Sequence, residues 1–410
     1  MNRRIMERLI GLLGIVVLLG IAWLLSNNKK KIDTRIVLWG FGLQLFFALF
    51  ILKTPIGQPF FSAVDGVLRK LISFSDAGGD FLFKTFSGGV VEGPLLNFAF
   101  RALPTIIFFS ALMALFYHLG IMQFIVRGIS WAMQKTLKTS GAETLSVSAN
   151  IFVGQTEAPL MIRPYVNAMT KSELMAVMVG GFATVAGGIM AIYVIMLSDI
   201  PGIAGHLLAA SIMSAPAALV IAKIMYPETE EPATRGHVKI EVEKTAGNAM
   251  ESISQGATSG MKLAANVAAM LIAFVAMVAM INAFLGLFDT SLEEIFGIIF
   301  RPLAWTMGVP WNESATLGTL MGKKIVLTEL IAFGDLQELR VANEISDRTA
   351  IIASYALCGF ANFASIGIQL GGIGGIAPKR RKDLAKIALK AMIGGALASW
   401  LTATIAGILI

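Results

Sequence analysis

Two places in this chain set a hydroxyl beside a carboxylate inside otherwise apolar sequence. One is Thr156-Glu157, within Gly154-Gln155-Thr156-Glu157-Ala158-Pro159-Leu160, and the other is Thr328-Glu329, at the end of Gly322-Lys323-Lys324-Ile325-Val326-Leu327-Thr328-Glu329. Carboxylate, amide and hydroxyl groups of this kind accept from and donate to a polar solute. Bond-making chemistry needs more: a nucleophile, a base or a metal cluster within reach. His118, His206 and His237 are scattered singly, Cys358 is the lone cysteine, and no His-Glu or multi-Asp motif is present. Metal and thiol chemistry therefore have no visible framework. The run Gly318–Lys324 lacks the spacing and final residue of a phosphate loop. Reversible binding of a small polar solute is the chemistry these residues can do, and no catalytic residue is assigned.

The elements that must position them are membrane helices. The chain has 410 residues, of which 56% are hydrophobic and only 14% charged, with a mean hydropathy of +0.75. A soluble fold could not hide that much apolar surface. Apolar runs at 9–25, 36–52, 98–117, 174–197, 207–225, 263–288, 350–370 and 387–410 give about eight candidate spans of the length that crosses a bilayer. The first is read as a retained helix, because its best small-residue triplet, Gly20-Ile21-Ala22, runs straight on into Trp23-Leu24-Leu25. Stretches 56–74 and 121–137 mix aromatic and aliphatic residues with Arg69, Lys70, Arg127 and Lys135, as helices lying in the interface do.

A net charge of +7 invites a nucleic-acid reading, but the basic residues cluster in short loops: Lys29-Lys30-Lys31 with Arg35, and Lys379-Arg380-Arg381-Lys382. Cytoplasmic loops are enriched in this way, so the charge reports topology and not a nucleic-acid polymer. Both clusters inside place both termini outside and the loop 226–252 inside, with Arg3, Arg4 and Arg8 pulling the other way. That loop, with Pro227-Glu228-Thr229-Glu230-Glu231-Pro232, reads as a solvated connector.

Residues 146–162 crowd Ser, Asn, Gly, Gln, Thr, Glu and Pro too densely for an uninterrupted span. They read as a re-entrant hairpin with Gly154–Glu157 at its tip. Downstream lies Gly181-Phe182-Ala183-Thr184, and Thr328-Glu329 is likewise followed by Gly359-Phe360-Ala361-Asn362. Each unit is a polar hairpin followed by a helix broken at a Gly-Phe-Ala-polar step. The spans at 174–197, 207–225 and 263–288 separate the two hairpins, an odd number, so the hairpins enter from opposite sides. That is an inverted repeat, whose interface near the midplane is where secondary transporters bind substrate and coupling ion.

The run 154–160, the run Pro302-Leu303-Ala304-Trp305-Thr306-Met307-Gly308-Val309-Pro310-Trp311, the run Gly322–Phe333 and Cys358-Gly359-Phe360-Ala361-Asn362-Phe363-Ala364-Ser365-Ile366-Gly367-Ile368 resemble the concentrative nucleoside transporter family, over nearly the whole chain. The resemblance implies an all-α polytopic membrane protein with eight spans, two re-entrant hairpins and interfacial amphipathic helices. It implies a homotrimer in the inner cell membrane, importing nucleosides on a sodium gradient. Scaffold helices with an interfacial helix fall at 1–120 and a scaffold helix at 256–288. Transport regions fall at 121–225 and 289–410, with a charged cytoplasmic linker at 226–255.

In that pattern Gln155, Thr156, Glu157 and Ile189 contact the nucleobase, and Glu329, Phe360, Asn362 and Ser365 the ribose. Sodium-using members resemble this chain in having an Asn before the first tip, which maps the ion onto Asn150, Val153, Thr184 and Val185. Neutral oxygen ligands suit a monovalent cation that must be released again. Proton coupling is the alternative, and an intramembrane enzyme acting on a nucleotide- or sugar-linked substrate is the remoter one. One departure bears on substrate range: the family usually has Asn-Glu-Phe where this chain has Thr328-Glu329-Leu330.

Overall fold

The computed structural model describes residues 3–57, 59–72, 103–234 and 246–410, and among them every regular element is a helix. His237, the start of the 98–117 run and the end of the 56–74 stretch lie outside the described residues.

Five helical stretches among the described residues are long and apolar enough to cross a bilayer: Met6–Leu24, Thr34–Lys53, Lys171–Met196, Ile203–Met225 and Pro378–Leu409. They correspond to α1 (Arg3–Leu24), α2 (Thr34–Lys53), the pair α6 (Lys171–Ala183) and α7 (Gly187–Met196), α8 (Ile203–Met225) and α15 (Arg381–Leu409). The last three stretches are mostly buried within the protein, whereas α1 and α2 keep most of their surface outside. A helix apolar all round belongs in an interior, and α8 and α15 form that interior. Gly395 lets α15 lie against α6, since a Cβ there would stand 2.3 Å from Phe182 Cβ.

α3 (Leu103–His118) turns through 76° into α4 (Ile121–Leu137). Gly120 makes the turn at φ +81°, a conformation that favours a residue without Cβ. α4 buries Met122, Val126, Ser130, Met133 and Leu137 along one face and exposes Phe124 and Trp131. It is amphipathic, as the sequence predicts for an interfacial helix. α9 (Ala249–Leu285) packs along α3 through Gly256 and Gly260, where a Cβ would stand 2.7 Å from Ala111 Cα and Ile107 Cα respectively. Close approach through Gly-x-x-x-Gly is how membrane helices associate without a hydrophobic driving force. α10 (Leu292–Thr306) follows, a second amphipathic helix that exposes Ile298 and Ile299 and buries Gly297 and Ala304.

The first hairpin consists of α5 (Gly141–Ala149) and a returning limb of 3-10 turns, Ala158–Ile162 and Val166–Ala168. The second is α11 (Trp311–Val326) and α12 (Glu329–Val341), joined at Leu327-Thr328. α13 (Asp347–Leu357) and α14 (Phe363–Ile376) are the two halves of the other broken helix.

The connector after α8 departs from its sequence reading. It departs only in part: Thr229, Glu230 and Glu231 are exposed, but the Gly141 and Ala142 amides donate to the Thr234 carbonyl and hydroxyl, and Thr170 Oγ1 donates to Glu228 Oε2. The reason is the unsatisfied amides at the start of α5, which need acceptors when buried. Beside them Lys223, buried at the end of α8, donates to Glu143 Oε2 at 2.7 Å and to Ser172 Oγ at 2.9 Å. Ser140, which caps α5, also donates to Glu173 of α6. These polar contacts join the first hairpin to the helices behind it.

Candidate functional site

Both long helices that follow a hairpin break where their polar step falls, and the breaks meet. α6 ends at Ala183 and α7 begins at Gly187, while α13 ends at Leu357 and α14 begins at Phe363. The Phe360 amide donates to the Thr184 carbonyl at 3.3 Å, tying one break to the other. Gly359, at φ +135°, makes the crossing possible, because a Cβ there would stand 2.9 Å from the Ala183 carbonyl carbon and oxygen. Only glycine combines that backbone angle with that clearance. The Gly187 amide donates to the Phe152 carbonyl at 3.0 Å, so the first hairpin tip is tied to the same crossing.

Glu329 stands in the first turn of α12, buried (5% exposed), with each carboxylate oxygen engaged. Tyr193 of α7 donates its hydroxyl to Oε1 at 2.9 Å, and Asn362 Nδ2 donates to Oε2 at 2.7 Å. Asn362 also caps α14, its Oδ1 accepting from the Ser365 amide at 2.8 Å. Tyr193 is held in turn by stacking on Phe333 of α12, centroids 4.1 Å apart. Phe360 is half-buried beside this group and Ser365 is buried. Thr328 caps α12 and Leu330 is packed in the core, so the departure from Asn-Glu-Phe is absorbed as a cap and a core contact.

Lys323 and Lys324 anchor the hairpin. Lys323 bridges Asp335 at 2.7 Å and Glu293 of α10 at 3.4 Å. Lys324, with no exposed surface, donates to the Ala356 carbonyl at 2.9 Å and Ser399 Oγ at 3.0 Å. A cavity of about 820 Å³ lies between α10 and this hairpin, lined by Glu293, Arg301, Thr319, Lys323, Asp335 and others, and no residue of either tip lines it.

The first tip is arranged differently. Glu157 is exposed, and its carboxylate turns back over its own loop toward the Gly154 and Glu157 amides and the Thr156 hydroxyl. Gln155 is buried, its Oε1 accepting from Gln369 Nε2 of α14 at 3.0 Å. Thr156 lies against Gly372, and Ile189 is buried in the first turn of α7. Asn150, at the end of α5, is fully buried; its Nδ2 donates to the Ser146 carbonyl at 3.2 Å. Asn150 Oδ1 and Ser146 Oγ find no partner in the protein. Buried oxygens left without donors fit a desolvated cation better than an empty interior. Thr184 Oγ1 donates to the Gly180 carbonyl at 2.9 Å, which leaves its own lone pairs free, and Val153 and Val185 are buried nearby in sequence.

The structure thus joins Glu329 to Asn362 by side chain, Asn362 to Ser365 by its cap, and Thr184 to Phe360 by backbone. Tyr193 and Gln369 are additional members. Their signal is a lone polar side chain in apolar helix, Tyr193 in α7 and Gln369 between Ile368 and Leu370.

Three family descriptions match the chain: "Na+ dependent nucleoside transporter N-terminus" over residues 13–86, "Nucleoside recognition" over 99–199 and "Na+ dependent nucleoside transporter C-terminus" over 206–407. An uncharacterised transporter of Haemophilus influenzae is 43% identical, covering 99% of this chain and 98% of that protein. The sodium/nucleoside cotransporter 1 of Mus musculus is 41% identical over 98% of this chain, which spans 64% of that longer protein. Among solved structures, CNTnw in an inward-facing substrate-bound state is 42% identical, with a TM-score of 0.90 and 98% of each chain covered.

Proposed function

From the premise that this chain belongs to the Na+-dependent nucleoside transporter family, we propose how its two halves divide solute and ion between them. It is a sodium-coupled nucleoside transporter of the cell membrane, and its relatives and structural neighbours are transporters, not enzymes.

The second hairpin and α14 hold the ribose through Glu329, Asn362 and Ser365, with Phe360 against the sugar. Each Glu329 oxygen carries one protein donor, and a carboxylate oxygen with a lone pair to spare accepts from a sugar hydroxyl. The first tip meets the base through Gln155, Thr156 and Glu157, with Ile189 as an apolar wall. Asn150, Val153, Thr184 and Val185 hold the sodium ion, a reading that the unpartnered Asn150 Oδ1 supports.

The observation that carries this division is the backbone hydrogen bond from Phe360 to Thr184. It supports the division because it links Thr184, read as an ion ligand, to Phe360, read as a ribose contact, so that ordering either break would order the other. Coupling of that kind is reciprocal: sodium tightens nucleoside binding by the same factor as nucleoside tightens sodium binding.

Three copies assemble as a homotrimer, with 121–225 and 289–410 as moving regions against scaffold helices in 1–120 and 256–288. The exposed Met277, Met280 and Phe284 near the end of α9, with Leu287 and Phe288 in the 3-10 turn that follows, support an apolar outer face for lipid or a neighbouring copy.

Uridine uptake by purified protein in liposomes tests the function. An inward sodium gradient is expected to drive accumulation of chemically unchanged uridine. Uptake indifferent to sodium but driven by an inward proton gradient would transfer the coupling to protons.

A further inference from the structure

Gln369 belongs to the second half of the molecule, yet its side chain works in the first. It is fully buried on α14, and its Nε2 donates both to the Met178 carbonyl of α6 at 3.1 Å and to Gln155 Oε1 at 3.0 Å. A main-chain carbonyl can only accept, so the Met178 contact decides which end of the Gln369 amide faces it. The second N–H then points at Gln155, which must answer with its oxygen. Gln155 is left with its amide N–H groups to present to a solute. Toward a solute it is then a donor, its oxygen being turned to Gln369.

Two glycines make this contact possible. A Cβ on Gly181 would stand 2.7 Å from Gln369 Nε2 and 2.9 Å from Gln155 Cβ, in the middle of the pair. Gly372 is three residues beyond Gln369 on the same face of α14, and a Cβ there would stand 2.7 Å from Thr156 Cγ2. The first tip is therefore seated on one face of α14, with Gly181 clearing the space above Gln369.

We propose that Gln369 is a positioning residue that fixes Gln155 as a hydrogen-bond donor, and that the transporter thereby favours nucleobases carrying a carbonyl oxygen over those carrying an exocyclic amine at the edge Gln155 meets. This rests on the reading above that Gln155 faces the base. Uridine and cytidine differ in this way, carbonyl against amine, at one ring position. An amine presented to a fixed donor leaves buried N–H groups unpaired, which is the strongest form of rejection available to a polar site.

The test is the ratio of kcat/KM for uridine to that for cytidine in proteoliposomes under a sodium gradient. The unaltered protein is expected to prefer uridine. Gln369→Met keeps the length but removes the donor, so the Gln155 amide can turn over and offer its oxygen; the ratio is expected to fall about tenfold toward unity. Gly181→Ala drives the two amides apart and moves the ratio the same way. For any variant too slow to assay, the same ratio is read from stabilisation of the detergent-purified protein against heat by each nucleoside. No preference in the unaltered protein, or an equal fall for both nucleosides in Gln369→Met and Gly181→Ala, overturns the proposal. Gln155→Ala separates it from the reading beneath it. If the ratio collapses in Gln155→Ala but holds in Gln369→Met, Gln155 reads the base without help from Gln369. A ratio unmoved in Gln155→Ala removes the base contact itself, and the proposal with it.

Discussion

Thr156-Glu157 and Thr328-Glu329 are the same residue pair in two settings. In the second hairpin the pair opens a regular helix, Thr328 as its cap and Glu329 in its first turn, and both carboxylate oxygens already have protein donors. In the first hairpin α5 stops at Ala149, the returning limb is 3-10, and Glu157 is exposed and folded over its own loop. The second tip is complete without a ligand; the first carries buried oxygens, Asn150 Oδ1 and Ser146 Oγ, with no partner. A preorganised group loses little on binding, whereas an incomplete one is ordered by what it binds. On the proposed division, the second half would supply a fixed grip and the first the part of the site that responds to the ion.

The contrast can be broken most forcefully at Glu329. Removing its carboxylate in Glu329→Ala strands the Tyr193 hydroxyl and the Asn362 amide in a buried site, at about 3 kcal/mol or roughly a hundredfold in uptake kcat/KM. Uridine uptake within a few-fold of the unaltered protein would mean the fixed grip lies elsewhere. Next is Asn150→Ala, which is expected to raise the sodium concentration for half-maximal uptake about tenfold, the worth of one lost ligand of roughly 1.4 kcal/mol. The maximal rate at saturating sodium should change less. Sodium dependence that stays put would remove the ion from the first half.

A smaller effect belongs to Glu157→Gln. Its carboxylate is exposed and hydrogen-bonded within its own loop, so the amide should raise KM for uridine by about tenfold or less, as fits one hydrogen bond exchanged for a weaker one. A loss as large as that of Glu329→Ala would erase the distinction between the tips. The least is expected of Thr328→Ala, which removes a helix cap worth about 1 kcal/mol. Its long amide-to-hydroxyl contact, 3.5 Å, puts it at the low end. Thermal unfolding in detergent should show the loss, with sodium dependence unmoved; a shifted sodium response would give Thr328 a part in coupling.

Much of this architecture is visible in the residues. The apolar runs mark the helices, and the polar density at 146–162 marks a hairpin because lipid tolerates no unpaired backbone. The paired Gly-Phe-Ala steps mark the breaks, since Gly359 is needed at a crossing no side chain could share. Other features carry no such mark. α10 packs against α11 of the second hairpin, yet none of the apolar runs or interfacial stretches read from the residues covers it. The connector after α8 looks solvated by composition, and only its proximity to the start of α5 reveals that Thr234 is an acceptor. Lys223 falls inside an apolar run and declares nothing until Glu143 appears 2.7 Å away.

The chain by itself determined that this is a membrane protein of helices, that it repeats a polar hairpin and a broken helix, and that Glu157 and Glu329 correspond. Composition and period carry these because they follow from how far a helix must run through hydrocarbon and where its backbone can be left open. Tertiary structure alone decided that Glu329 is held by Tyr193 and Asn362, that Thr184 and Phe360 share a hydrogen bond, and that Gln369 donates to Gln155. Hydrogen bonds are short and directional, so a contact between residues 155 and 369 exists only once the two halves have been folded onto each other.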